Sequence, residues 1–539
     1  MEIATREINM ENTQDTAKNL TGAAGIVMVA TLLSRITGFL RTLLISSKMM
    51  PAGYSDEFIL AFTLPDLVYD LLAGGAIAAA LIPVLSTYLA RGQEKTGWKA
   101  ISTFMNMALI IMILLEIIFF VFTDNLLGIF AAGYNQGSTG DRKLLTDLTR
   151  ILLLSAPFMM MAGQLNGILN SYKKFAVAAF GPVIYNMCTI LSIALFGSKS
   201  AYLTAWGVVF GAAVFFMIQF SASFKHFALY RPRLFLKSQA FKELINLALP
   251  SLISSTIIEI NLIISRSYAT YFDEGMVTLL NNANRTWQLP LGIFAQSIGI
   301  ALLPTLSEEF ASESYDSFKN ILYKGLRVVF LLSLPTSIIM IVLSQDIFRV
   351  MFKWGSFSES SVFYGGLCLM GYSFALIFTS VISLMTRAFY SIHNSKTPLI
   401  CNTSGILVNY LFNLIFTRYT DIGIAGTALA YSISSFINMM ILLLAFKSKT
   451  GVDIITDNFG FMGKASLGGI GAGIFSYILS SVIRPDITSK FSQVLVLMLP
   501  MVAGLGLFWF VMDFLRVPEI KFINQLVLSR IKKVAVFRR

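Results

Sequence analysis

What most constrains this chain is the end-to-end recurrence of apolar runs about 20 residues long, each bounded by charge or by turn-forming residues. As an α-helix, a run of that length crosses the roughly 30 Å of hydrocarbon in a bilayer. Inside hydrocarbon the backbone amides and carbonyls can bond only to one another, which favours helices. Composition agrees: 56% of the 539 residues are hydrophobic and 13% are charged, against about 25% charged in a soluble domain. The expected fold is an all-α polytopic membrane protein with about 14 transmembrane helices. They begin near Gly22, Glu57, Thr103, Leu144, Phe175, Ala201, Phe241, Met276, Ile321, Val362, Pro398, Ile422, Lys464 and Val494. Residues 1–21 are polar and of mixed charge, with no short apolar core before a small-residue cleavage site. They read as a cytoplasmic N-terminus, not a signal peptide.

Cations set the expected orientation. One side receives Arg91, Lys95 and Lys99, then Lys173 and Lys174, then Lys225, Arg231, Arg233, Lys237 and Lys242. Lys319, Lys324, Lys396, Lys447, Lys449 and the Lys/Arg-rich tail follow on that same side. The positive-inside rule then places both termini in the cytoplasm, which an even number of spans requires. The net charge of +12 is accounted for by these loops, so nucleic acid is not an expected partner. Cys188, Cys368 and Cys401 lie far apart in apolar runs and read as small buried hydrophobes; His226 and His393 form no metal set.

Two parts of the chain resemble each other. "LPDL" at 64–67 is followed by "AALIPVLS" at 79–86, and "LPLG" at 289–292 is followed by "IALLPTLS" at 300–307. An offset of six spans keeps both copies in the same orientation, giving two six-helix bundles in a parallel pseudo-two-fold repeat. The expected organisation is a polar N-terminus (1–21), an N-terminal six-helix bundle (22–224) and a basic cytoplasmic linker (225–240). A C-terminal six-helix bundle (241–447), two added C-terminal helices (448–516) and a basic tail (517–539) complete it.

Ionisable groups inside spans are costly, about 2.5–3.5 kcal/mol each at the bilayer centre, and mark functional candidates. Arg35 and Arg41 lie in the first span. At about 100° per residue they stand roughly 120° apart, so either both face a wide aqueous cavity or one faces a neighbouring helix. Asp66 and Asp70 form an i, i+4 pair able to balance arginines, and Asp56 stands at the outer interface of the same span. Span seven holds Glu259 and Arg266, further candidates for charge balance. In span eight, Arg285 and Gln288 lie one turn apart beside Asn284 and can present donors to one anion. Arg387, at the inner end of span ten beside a basic loop, reads as snorkelling to the interface. No H-E-x-x-H, P-loop or G-x-S-x-G occurs, so no enzyme and no cofactor is expected. Fixed cations, amides and compensating carboxylates describe a binding cavity for an anion.

"SRITGFLRTLLIS", "SDEFILAFTLPDL" and "AIAAALIPVLSTYLARG" resemble the opening of the MurJ (MviN) family. "NNANRTWQLPLGIFAQSIGIALLPTLSEEFAS" is similar to that family's eighth span; "QLNGILNSYKKFAVAAFGPVIYN" and "RAFYSIHNSKTPLICN" resemble further segments. The resemblance implies a flippase for lipid II, the undecaprenyl-diphosphate-linked peptidoglycan precursor, in the bacterial cytoplasmic membrane. It also implies membrane lipids and the cell-wall synthesis machinery as partners. The family lies within the multidrug/oligosaccharidyl-lipid/polysaccharide exporter (MOP) superfamily, so the alternative is a MATE-like or other polysaccharide-lipid exporter. Arg35, Arg41 and Arg285 fall on the arginines of the family motifs, and Asp56 on the acidic residue after the first loop. Thr42 stands where the family usually has Asp, and Tyr69, Asp70 and Gly74 stand where several members have charged groups. Ser265 and Asn413 replace carboxylates of a sodium site found in some members, leaving Asn409 and Asn413 as weak candidates and no metal expected. The mechanism implied is alternating access around an arginine-lined cavity between the halves, with the lipid tail along the last two helices. An inside-negative potential would favour outward passage of two negative charges by roughly 4.6 kcal/mol per 100 mV.

Overall fold

The computed structural model describes residues 26–73, 77–135, 140–354, 357–483, 490–520 and 524. The N-terminal segment 1–21, Gly22, Gly74 and nearly all of the tail after residue 520 lie outside the described residues. Every regular element among the described residues is helical. Twelve helices among the described residues are long and apolar enough to cross a membrane. Large apolar side chains cover their outer faces, among them Met28, Phe210, Leu467 and Val482. In a bilayer these faces meet acyl chains, as a multi-pass protein requires.

The chain packs as two compact units that divide between Ile263 and Ile264. In the first, α1 (Ile26–Met49) ends in a π-helical turn, Ile45–Met49. It is followed by α2 (Ser55–Leu60), α3 (Thr63–Leu72), a π turn (Ile77–Leu81) and α4 (Ile82–Ala90). The second expected span is thus a broken path and not one of the twelve helices. Its prolines explain the breaks: Pro65 and Pro83 fall in the first turns of α3 and α4, where a missing N–H removes no helical bond. Next come α5 (Glu94–Val121), α6 (Thr123–Phe130), α7 (Arg142–Leu153), α8 (Ala156–Ser171), α9 (Phe175–Phe196) and α10 (Ala201–Ser223). Small residues let α9 and α10 approach closely. At Gly207 an added Cβ would stand 2.0 Å from Ser192 Oγ, and that hydroxyl donates to the Thr204 carbonyl at 3.1 Å. A buried core of Leu81, Leu85, Trp98, Ile101, Leu165 and Leu244 joins α4, α5 and α8 to the start of α11 (Gln239–Ala269). That helix is the other expected span outside the twelve. It is continuous, and from Leu244 to Asn261 it carries one charged residue, Glu259.

In the second unit, α12 (Met276–Leu291), a π turn (Gly292–Gln296) and α13 (Ser297–Ala311) run as one continuous rod. Each unit therefore follows its repeated proline motif with a π turn and a proline-bearing helix. The remaining helices are α14 (Tyr315–Val342), α15 (Ser344–Phe352), α16 (Glu359–Ser391), α17 (Lys396–Tyr419) and α18 (Ala425–Thr450). Central α16 packs on α12, α14 and α18. Serines tie it in: Ser432 Oγ donates to the Gly371 carbonyl and Ser337 Oγ to the Ser373 carbonyl, both at 2.6 Å. Such interhelical bonds contribute about 0.6 kcal/mol each.

The added helices, α19 (Ile454–Ile483) and α20 (Lys490–Phe514), dock on α14 through Gly469 and Gly473 against Ile338. A polar clamp reinforces them: Arg327 reaches Glu519 at 3.0 Å and Asn458 at 2.6 Å, while Lys319 meets Asp457 at 2.9 Å.

Candidate functional site

In the first unit, α1 lies along α9. Asn186 Nδ2 donates to the Ser34 carbonyl at 3.3 Å and to Thr37 Oγ1 at 3.4 Å, fixing the rotation of α1. Arg41 then lies over the Tyr185 ring, its guanidinium carbon 5.9 Å from the centroid. It is half-buried, and among the described residues no carboxylate lies in ion-pair contact with it. The Tyr185 hydroxyl feels both Arg41 and Asp66. Asp66 thus supplies nearby negative charge that Thr42 does not. The threonine is buried, and its hydroxyl donates to the Gly38 carbonyl at 3.2 Å. Asp70 lies within electrostatic reach of both Asp66 and Glu259.

Arg35 takes a different position. It is exposed and lines a cleft of about 390 Å³ with Ser34, Asn166, Asn170, Ala178 and Pro182; Arg41 is not among the lining residues. Of the two arrangements open from helical spacing, the structure gives each arginine its own surroundings. Pro182 organises the cleft wall. Lacking an N–H, it leaves the Ala178 carbonyl without its helical partner, and Asn166 Nδ2 donates to that oxygen at 2.6 Å. Asn170 Nδ2 in turn donates to Asn166 Oδ1 at 2.8 Å.

Asp56 is 3% exposed. Beside it, buried Glu57 accepts from Tyr134 Oη at 3.2 Å and from the Asp141 amide at 3.0 Å. This corner of α2 holds the connection before α7.

In the second unit, Arg285 and Gln288 are both exposed on one face of α12. Asn284 is buried, and its Oδ1 accepts from Trp287 Nε1 at 2.9 Å and Gln288 Nε2 at 3.0 Å. Its oxygen holds these two neighbours, and the donors an anion would use are those of its Nδ2. Trp287 packs with Tyr372 and Tyr431, at centroid distances of 6.2 and 5.7 Å, setting the rotation of α12 from below. Arg266 is buried and its charge is felt at Tyr372. Ser265, Asn409 and Asn413 are fully packed: Asn413 Nδ2 donates to Asn409 Oδ1 at 2.9 Å, and Asn409 Nδ2 to Ser265 Oγ at 3.4 Å. That neutral donor set lacks the carboxylate a tightly held cation calls for, and no His/Cys/Asp/Glu cluster suited to a metal occurs among the described residues.

Three features escaped sequence reasoning. Tyr185 and the Asn166–Asn170 ladder looked like ordinary span residues, although Asn170 stands four residues after Asn166 and Pro182 four after Ala178. Arg387 is the third: its Nη1 donates to the carbonyl and hydroxyl of Ser383, at 2.8 and 2.7 Å, one turn before it in α16. The absent side chain of Gly299 leaves the room: a Cβ there would lie 2.8 Å from Arg387 Cδ.

Helices long and apolar enough to cross a bilayer, with cations inside them, define a polytopic membrane protein. A solved structure of a multidrug-resistance MATE-family transporter of the MOP superfamily aligns over 79% of this chain and 98% of its own at a TM-score of 0.64, with 15% identity, a likeness of fold. A family profile described as "Lipid II flippase MurJ" matches residues 45–496, and the chain belongs to that family. The "Probable lipid II flippase MurJ" of Buchnera aphidicola subsp. Acyrthosiphon pisum is 28% identical over 77% of this chain and 81% of the relative. The "Lipid II flippase MurJ" of Burkholderia cenocepacia is 27% identical over 80% of this chain and 84% of its own. A structure titled "Lipid II flippase MurJ, inward closed conformation" superposes at a TM-score of 0.72, with 24% identity, covering 90% of this chain and 98% of that one.

Proposed function

We propose that this protein carries lipid II from the inner to the outer leaflet of the bacterial cytoplasmic membrane, with both termini on the cytoplasmic side. The observation that supports this reading is a family match over residues 45–496, and beside it Arg35 and Arg41, at positions that resemble the family's arginine motif, have no ion-paired carboxylate among the described residues. An unpaired anion in hydrocarbon costs tens of kcal/mol in an idealised estimate. A guanidinium lowers that cost by donating two parallel bonds to phosphate while staying charged. Arg41 and Arg285 carry this role, one from each unit, engaged alternately from the two leaflets. Tyr185 positions Arg41, Asn284 holds Gln288 one turn from Arg285, and Asp66, Asp70, Glu259 and Arg266 balance charge. The polyprenyl tail stays in lipid beside α19 and α20, and the membrane potential assists outward transit.

The test is a proteoliposome assay that reads headgroup exposure and product mass together. Relocation of lipid II with unchanged mass, faster under an inside-negative potential, is the expected result. A changed mass would make the protein an enzyme. Transport of organic cations in place of lipid II would favour the MATE-like alternative.

A further inference from the structure

We propose that the cleft beside Arg35 seats an uncharged, secondary-amide-bearing part of the transported headgroup, such as an acetamido sugar, with Arg35 as donor and Asn170 as acceptor. The inference rests on the function proposed above and divides the labour among its arginines. The direction of the amide ladder is fixed by chemistry. The Ala178 carbonyl, released by Pro182, can only accept, so Asn166 must turn its Nδ2 toward it. Asn166 Oδ1 then accepts from Asn170 Nδ2. Holding the Ala178 carbonyl accounts for Asn166, but not for Asn170. Its Oδ1 is left as an acceptor at the free end of the ladder, on a residue that lines the cleft, with no hydrogen-bond partner among the described residues.

Beside the Arg35 guanidinium, Asn170 offers the cleft its Oδ1 acceptor as well as the second N–H of its Nδ2, a mixed donor–acceptor pair that a diphosphate, which can only accept, does not use in full. A secondary amide is complementary: its carbonyl accepts from Arg35 and its N–H donates to Asn170 Oδ1. The walls supplied by Val27, Ala178, Ala179 and Pro182 suit the attached methyl group. The volume, about 390 Å³, lies near the lower end of small-molecule sites, roughly 300–1,000 Å³, which holds one substituted ring and not a whole headgroup.

The experiment measures binding of three probes to the purified full-length protein in detergent. They are undecaprenyl diphosphate, the same lipid carrying an N-acetylated disaccharide, and the same lipid with hydroxyls in place of the acetamido groups. The native protein is expected to prefer the acetamido probe over its hydroxyl analogue about tenfold, the value of one hydrogen-bonded group. Asn170→Ala, and independently Arg35→Met, should erase that preference, whereas Arg41→Ala should weaken all three probes together and keep it. Equal binding of the two sugar probes by the native protein, or a preference that survives in both cleft variants, overturns the assignment. Failure of the native protein to bind any probe overturns the transport reading itself.

Discussion

Replacing Arg41 by alanine separates the structural from the functional value of this side chain. On the structural side the loss is one cation–π contact to Tyr185 at 5.9 Å, worth about 0.5–2 kcal/mol. No ion-paired carboxylate is orphaned among the described residues, so the variant should fold and insert. On the functional side, a hydrogen bond to a charged group contributes about 1.5–3 kcal/mol, and the guanidinium fork makes two. Losing both weakens the grip on a diphosphate by about 3–6 kcal/mol, or about a hundred- to ten-thousand-fold. Arg41→Lys keeps the charge but only one directed bond, and should fall between the alanine variant and the native protein. Headgroup exposure in proteoliposomes gives the rate, and thermal unfolding in detergent gives the stability. A folded alanine variant that moves lipid at the native rate would refute the assignment of Arg41 to the anion.

Other outcomes follow from packing and from the buried polar groups. Gly207→Ala sets a methyl 2.0 Å from Ser192 Oγ; it should destabilise the first unit by about 1–3 kcal/mol, with partial recovery on adding Ser192→Gly, read as melting temperature. Arg327→Ala leaves Glu519, 7% exposed, without its 3.0 Å ion pair, and should cost about 3 kcal/mol, partly restored by Glu519→Gln. Thermal unfolding of the single and double variants checks the coupling. Because Ser265, Asn409 and Asn413 bond to one another as neutral groups, exchanging sodium for choline should leave the transport rate unchanged; a sodium requirement would contradict that reading.

The helical membrane fold was legible because apolar length is a local property of sequence, as were the arginines, since a cation inside an apolar run is conspicuous. The broken path from Ser55 to Ala90 was only half legible: Pro65 and Pro83 were visible, but not that each would open a new helix. Asn284 shows a different limit. Its type marks it as a candidate, but that its Oδ1 would hold Trp287 and Gln288 could not be read, because hydrogen-bond direction is not written in residue identity. The bond from Arg387 back to Ser383 was not legible, because the space for that side chain is opened by Gly299 on another helix. The proximity of Asp70 to Glu259 joins residues far apart in the chain, so periodicity could not reveal it.

The π turns have a consequence for chain length. Each accommodates one residue more than an α turn, and among the described residues they occur at Ile45–Met49, Ile77–Leu81 and Gly292–Gln296. Deleting a single residue at 292–296 would let α12 and α13 merge into regular α-helix. Five π-helical residues turn the chain by about as much as four α-helical ones, so Gly299 would keep its place beside Arg387 and Arg285 its face. A deletion elsewhere in the rod, where no extra residue can be given up, would turn everything beyond it by about 100°. The π turn is thus the point at which the rod tolerates a change of length, and one-residue deletions there should be far milder than deletions a turn or two away.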